Sequence, residues 1–416
     1  MTDPTPTPTP IPIPAPTVIP SFARGALREA AARLDAATPK DRDRAVDALR
    51  ALAILGVVLG HWLVTALVAD GSSLHAASPL GEMPRLAPVS WAFQTLAVFF
   101  LVGGHVATRG YASARARGES YGRWLTARLS RLFRPVLAVL GLWTVTAALL
   151  LLTGADFVTV HTLVKLALSP MWFLLVFAVL TAATPLLTRL HPLWPLVVVL
   201  HIDLLRFGLG APSWLGWVNL AAGWLVPYTL GAAWSRGELD RRRSGWILLT
   251  GGTAATAALV AWAGYPASMV GVPGASVSNL NPPTLAAVTF GLAQCGLALL
   301  LRERLRRAMR RPMAWAAVAL VNLSAMTIFL WHQTALMATT ATGLLAGRLP
   351  GLHTPPDGLD WVAARLAWLP VFALVLAGCW ATFRSCEQRG PGRRPTRVVR
   401  AHRPQRRATT AGARHV

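Results

Sequence analysis

The stretch VDALRALAILGVVLGHW, Val46 to Trp62, is apolar from Ala51 onward except for one histidine, His61, and it is entered through one arginine, Arg50. Such a run reads as the opening of a membrane-spanning helix, which needs about 20 apolar residues to cross the hydrocarbon core. Arg50 and His61 are eleven positions apart. At 3.6 residues per turn that is three turns, so both fall on one helix face about 16 Å apart. Asp47 falls on nearly the same face, and the helix carries a polar stripe running from its entrance inward to an imidazole.

Composition places the whole chain in the same setting. Of 416 residues 54% are hydrophobic and only 14% charged, against about 25% charged in an ordinary soluble protein. Mean hydropathy is +0.48. The 17 tryptophans suit membrane interfaces, where Trp concentrates. The net charge of +23 would suggest nucleic acid on a soluble protein. Beside apolar spans, runs such as RERLRRAMRRP and RRPTRVVRAHRPQRR read instead as topology determinants that also meet anionic lipid headgroups. The bilayer is the expected partner, and no nucleic acid is expected. Cys295, Cys379 and Cys386 show no metal-ligand spacing and read as packing residues.

Ten spans are expected, giving an all-α, polytopic membrane bundle: about 51–69, 89–107, 135–153, 171–187, 193–205, 217–234, 246–264, 284–301, 313–336 and 362–383. Eighteen basic residues fall in the even-numbered connections between them. Only Arg85, Lys165, Arg206, Arg348 and Arg365 are assigned to the odd-numbered ones. The positive-inside rule then places both termini in the cytoplasm, as an even span count also requires. The expected location is the plasma membrane. The organisation is a tail over 1–40, a membrane domain over 41–385 and a basic, disordered tail over 386–416. The first segment begins TPTPTPIPIPAPT, whose alternating prolines forbid a helix and predict an extended, disordered chain. It lacks the basic start and continuous apolar core of a signal peptide. The stretch SFARGALREAAARL that follows is a basic amphipathic helix suited to the membrane surface.

Ionisable groups inside spans are expensive and usually functional. His61, His105, the group His201–Asp203–Arg206, and His332 stand out. Neutral imidazole acts as a general base near pH 7 without a large pKa shift. On composition alone a catalytic His61 and a structural His61 weigh about evenly. His105 with Gly103 and Gly104 reads as helix packing, and Asp203 with Arg206 as a structural ion pair. His332 shares its helix with Gln333 and, nearer the entrance, Asn322 and Ser324.

RDRAVDALRALAILGVVLGHW resembles the first span of the membrane acyltransferase 3 family, whose signature is an arginine, ten residues, then a histidine. Arg50 and His61 fit it, and Asp47 matches the acidic residue before the arginine. FFLVGGHVATR resembles the second-span pattern at Phe99, Phe100, Gly104 and Arg109, with Gly103 and His105 departing from it. SPMWFLLVFAVL around Trp172 and TIFLWHQTALM around His332 resemble two further motifs.

The resemblance implies an O-acyltransferase that takes a short acyl group from acyl-CoA, as co-substrate, and gives it to a hydroxyl of a carbohydrate or other envelope or secreted acceptor. It implies His61 as the base that deprotonates the acceptor, with His332 as a second acid/base or acceptor-binding group. Arg50, with Asp47 and Arg109, would hold the donor's phosphates, which arginine binds through paired hydrogen bonds. The Arg50–His61 spacing would then match a donor gripped at its charged head and discharged at its thioester. No metal is needed. A transporter or flippase with intramembrane histidines is the alternative, and a catalytically silent relative a second.

Overall fold

The computed structural model describes residues 21–388 except residue 72. The proline-rich segment over 1–20 and the basic tail from 389 lie outside the described residues. The chain opens with α1 (Ser21–Ala37) and α2 (Arg44–Val64), a hairpin of β1 (Ala66–Asp70) and β2 (Ser73–Ala77), and two short turns of helix, α3 (Pro79–Glu82) and α4 (Ala87–Ser90). Then come α5 (Leu96–Ala116), α6 (Tyr121–Leu152), α7 (Phe157–Leu168), α8 (Met171–Ala182), α9 (Thr184–Leu187) and α10 (Leu193–Asp203). The last helices are α11 (Val218–Ser235), α12 (Arg242–Trp262), α13 (Leu285–Ala308), α14 (Pro312–Leu323), α15 (Ala325–Gly343) and α16 (Leu359–Gln388).

Among the described residues, six helical stretches are long and apolar enough to cross a membrane: α2, α6, the joined α7–α8, α12, α13 and α16. A seventh is the pair α14–α15, bent by 73° at Ser324. The chain is therefore a helical membrane protein, with six qualifying spans among the described residues, or seven with the bent pair as one, where ten were expected. The other three expected spans correspond to α5, α10 and α11. α10 has only 11 residues, α5 carries Arg109 and Arg115, and α11 interrupts its apolar run with Asn219 and Pro227.

Several boundaries differ from the sequence reading, each for a local reason. The first span ends at Val64, not Ala69. β-branched Val64 and Thr65 favour extended backbone, and Asp70–Gly71 is a hairpin turn signal, with Gly71 at φ +55°. A hairpin in a bundle expected to be all-α is the result. The second helix starts at Leu96, after the separate turn of α4 that Pro88 opens and that ends at Ser90, and it runs on past Arg109. α6 absorbs Pro135 within the helix rather than starting there, as membrane helices tolerate. α1 is the expected amphipathic helix, but it packs on α14, with Trp315 Nε1 donating to Thr38 Oγ1 at 2.8 Å.

Burial sorts the helices into layers. In α2 and α13, 56% of the apolar window is buried inside the protein, against 17% in α12 and α16. α2, α5, α11, α13 and α15 form the interior, and the outer helices turn leucine and tryptophan outward. α5 and α11 cross closely because Gly104 lies against the Tyr228 carbonyl, where a Cβ has no room. The arginines gather at one end of the bundle, around the N-termini of α2, α6, α12 and α14. The hairpin and the loop before α13 close the other, far end.

α2, the helix that carries the polar stripe, is anchored at the basic end by Asp43. Its carboxylate accepts from Ala45 N at 3.1 Å and Val46 N at 3.4 Å, and pairs with Arg302 of α13 at 3.0 Å. Burial alone would raise the Asp43 pKa, but the Arg302 bond and charge and the two backbone N–H groups outweigh it and hold it below the ordinary 3.8. A depressed folded-state pKa means stability that is present above the unfolded pKa and lost as pH falls through the folded value. Melting of the purified protein should therefore drop as pH falls below about 4. Asp43→Ala should lower stability by about 1 kcal/mol at neutral pH and flatten that acid limb; an unchanged limb would remove Asp43 from this role.

Candidate active site

The stripe on α2 faces α14 and α15, and the bend at Ser324 is what lets one partner meet both of its ends. Arg50 Nε donates to Asn322 Oδ1 of α14 at 2.6 Å. Eleven residues on, the His61 ring lies against that of His332 on α15, centroids 4.9 Å apart and planes at 60°. His61 Nδ1 donates to the Val57 carbonyl at 2.8 Å, and His332 Nδ1 to the Phe329 carbonyl at 2.6 Å. A carbonyl only accepts, so each neutral ring carries its proton on Nδ1 and keeps a lone pair on Nε2. His332 is fully buried, and its Nε2 has no partner among the described residues.

A clasp holds this pair. Trp62 Nε1, next to His61, donates to the His332 carbonyl at 2.9 Å. The Trp62 carbonyl in turn accepts from Arg365 Nε of α16 at 2.6 Å. Arg365 Nη1 donates to Gly351 O at 2.8 Å, and Nη2 to Thr65 O. Arg365 is fully buried and pairs with no carboxylate among the described residues. It satisfies carbonyls that the end of α2 leaves open, and its charge faces the negative end of the helix dipole. From sequence Arg365 falls to an outer connection as a topology signal. It is instead a structural cation within α16, because the bonding needs of a buried helix end outweigh its hydration.

At the basic end Asp47 accepts from Arg42 Nε at 2.6 Å and from Arg50 Nη2 at 3.1 Å. Asn322 Nδ2 donates to the Asp47 carbonyl at 2.8 Å. Asp47, expected among the donor-binding groups, is thus engaged in aiming Arg50, and it does not line the cavities that Arg50 lines. A mouth of about 600 Å³ is bounded by Arg42, Arg50, Arg131, Trp315 and Asn322. It shares Arg50, Asn322 and Met326 with a deeper chamber of about 200 Å³ that contains Arg128 and ends at Ile54, Phe173 and Phe329. Arg109 lines neither space and is exposed in the C-terminal half of α5. Arg128 and Arg131 of α6 occupy the place expected of it. Arg128 Nη2 reaches the Val106 carbonyl at 3.2 Å.

His61 lines a different cavity, of about 210 Å³ at the far end, with Thr65, Ser90, Phe93, Gln94 and Gly271 among its walls. It shares no lining residue with the chamber below. An aromatic layer stands between them. Phe329 lies 5.4 Å from Phe173 and 6.0 Å from His332, centroid to centroid, and Phe99 packs on Phe173 at 5.0 Å. Trp172 joins this layer through Phe173 and Trp224. Helical spacing puts Arg50 and His61 on one face, but Phe329 separates their cavities.

The other intramembrane candidates lie away from the pair. His105 packs on Trp234 at 4.2 Å, away from the pair. His201 is exposed. Asp203 accepts from Leu285 N at 2.7 Å, Asn219 Nδ2 at 2.9 Å and Tyr265 at 3.0 Å, tying three segments together, while Arg206 is 3.9 Å away. Among the described residues no three His, Cys, Asp or Glu side chains gather as metal ligands do.

A family model described as an acyltransferase domain, that of acyltransferase 3, matches residues 43–384, from the Asp43 cap of α2 to near the end of α16. No curated protein and no solved structure matches the chain. The match covers α2 with Arg50 and His61, α15 with His332 and the Arg365 clasp, and the chain belongs to the acyltransferase 3 family and is a membrane acyltransferase.

Proposed function

We propose that the protein is an O-acyltransferase that moves a short acyl group, such as acetyl, from acyl-CoA to a hydroxyl of a carbohydrate or other envelope or secreted acceptor. The observation that carries this reading is the facing pair His61 and His332, held 4.9 Å apart between an arginine-lined space and one without formal charge. On this reading the basic end faces the cytoplasm of a plasma-membrane protein, both termini lie on that side, and α5, α10 and α11 complete ten spans.

The anionic head of acyl-CoA enters the mouth, where Arg42, Arg50 and Arg131 meet its phosphates through charge-assisted hydrogen bonds, with Arg128 in the chamber behind. Asp47 and Asn322 fix the aim of Arg50. The pantetheine arm displaces Phe329 and brings the thioester to the histidines. The acceptor occupies the far cavity. His61 Nε2 takes the proton of its hydroxyl while the oxygen attacks the thioester carbonyl carbon. The carbon–sulfur bond then breaks, and the departing thiolate recovers the proton from the imidazolium. His332, with its free Nε2, is the second acid/base group beside it. The acyl group thus changes sides by being handed across the aromatic layer, with no carrier.

Transfer of radiolabelled acetyl from acetyl-CoA by purified protein to envelope membranes tests this directly. His61→Ala should slow transfer by about 10²- to 10⁴-fold with acetyl-CoA affinity unchanged; wild-type transfer would remove the base. Arg50→Ala should weaken acetyl-CoA binding roughly tenfold or more, the scale of a lost hydrogen bond to a charged group; unchanged affinity would take Arg50 out of the donor site.

A further inference from the structure

The far cavity differs from the basic one in a way that specifies its occupant. Asp, Glu, Lys and Arg are all missing from its walls. Val57, Val64, Leu96, Leu166, Val270 and Leu280 make it mainly apolar, and the polar side chains are those of His61, Thr65, Ser90 and Gln94. At about 210 Å³ it lies below the roughly 300 to 1,000 Å³ of sites that enclose a drug-sized ligand, so it holds one reacting end of an acceptor.

Gln94 is the exceptional group there. It is only 6% exposed, and its Oε1 has no hydrogen-bond partner among the described residues. A buried unsatisfied carbonyl is destabilising unless a ligand completes it. Its segment is fixed rather than loose. Gln294 Nε2 donates to the Gln94 backbone carbonyl, and Thr95 Oγ1 donates to Ala53 O of α2 at 2.7 Å. Ser90 Oγ already donates to Ala87 O at 2.6 Å and keeps lone pairs to accept with. The Thr65 carbonyl is taken by Arg365. The cavity therefore offers neutral hydrogen-bonding groups to hydroxyls, the Gln94 amide and the Thr65 and Ser90 hydroxyls, and has no cation to neutralise a phosphate or carboxylate.

Resting on the reading of His61 as the base, we infer that the acceptor's reacting end is uncharged and bears at least two hydroxyls. One goes to His61 and a second bonds the Gln94 side-chain amide. An acceptor charged near the acylated hydroxyl is rejected, because a buried charge without a partner is strongly disfavoured. Gln94 sets acceptor choice and has no part in holding the donor.

Full-length protein in lipid nanodiscs tests this without knowledge of the natural acceptor. Diethyl pyrocarbonate modifies free imidazole nitrogen, and modification of His61 is followed by peptide mass spectrometry. The probes are methyl β-D-glucopyranoside and its 6-carboxylate, methyl β-D-glucopyranosiduronate. The neutral glycoside should protect His61 and the carboxylate should not. Gln94→Leu should weaken protection by the glycoside roughly tenfold, the scale of one lost hydrogen bond, with acetyl-CoA affinity kept as the sign of a folded protein. Gln94→Asn, which keeps the amide, should fall between. Equal protection by both probes, no protection by the glycoside, or native protection in Gln94→Leu overturns the inference. Since protection is read without turnover, such a failure is distinct from wild-type transfer by His61→Ala, which would overturn the base assignment instead.

Discussion

The fully buried guanidinium of Arg365 is the contact on which the site depends. α2 must stop immediately after His61, because Thr65 onward turns into the hairpin that walls the far cavity. Stopping a helix inside a membrane protein leaves carbonyls without partners where water is scarce. Arg365 bonds two of them, at Trp62 and Thr65, and adds Gly351 from the segment before α16. Trp62 then uses its indole on the His332 carbonyl. One cation thus ends the first helix and joins α16 to it, and through Trp62 it sets how closely the two imidazoles approach.

The same helix is held differently at its other end. There Asp43 caps it, and Asp47 and Asn322 orient Arg50 at the lip of a space ringed by cations. Between the ends the polar stripe is crossed by the Phe99–Phe173–Phe329 layer. The result is a gradient along one helix face: positive potential at the mouth, an apolar barrier, then a neutral cavity. A cationic space at one end, a mainly apolar, uncharged cavity at the other and an aromatic barrier between them suit a reaction whose two substrates arrive from opposite sides.

Much of this was legible in the residues of α2. Arg50 and His61 at three full turns placed guanidinium and imidazole on one face, and both do meet the α14–α15 pair. The meeting of His61 with His332 depends on the 73° bend at Ser324, which no glycine or proline announces. Trp62 read as one more interfacial tryptophan, because indole bonding to a distant carbonyl leaves no periodic trace. Arg365 lay inside the apolar run 362–383, and that position was the signal that it is not a loop cation. Arg109 matched a motif, yet the longer α5 carries it to the surface, while Arg128 and Arg131 were counted only as topology charge. Gln94 lay within the expected second span as one polar residue among apolar ones; only the three-dimensional cavity shows its oxygen to be unpartnered.

The central claim is that Arg365 and Trp62 act as one clasp on the histidine pair. A double-mutant cycle tests it most directly: Trp62→Phe, Arg365→Met and the double variant, with acetyl transfer rates measured on protein that still binds acetyl-CoA with native affinity. If the clasp is one unit, each single change slows transfer substantially and the double variant is no slower than the worse single one, the strong non-additivity expected of contacting groups. Rates that fall by the product of two independent effects, or that stay at the native level, would contradict it.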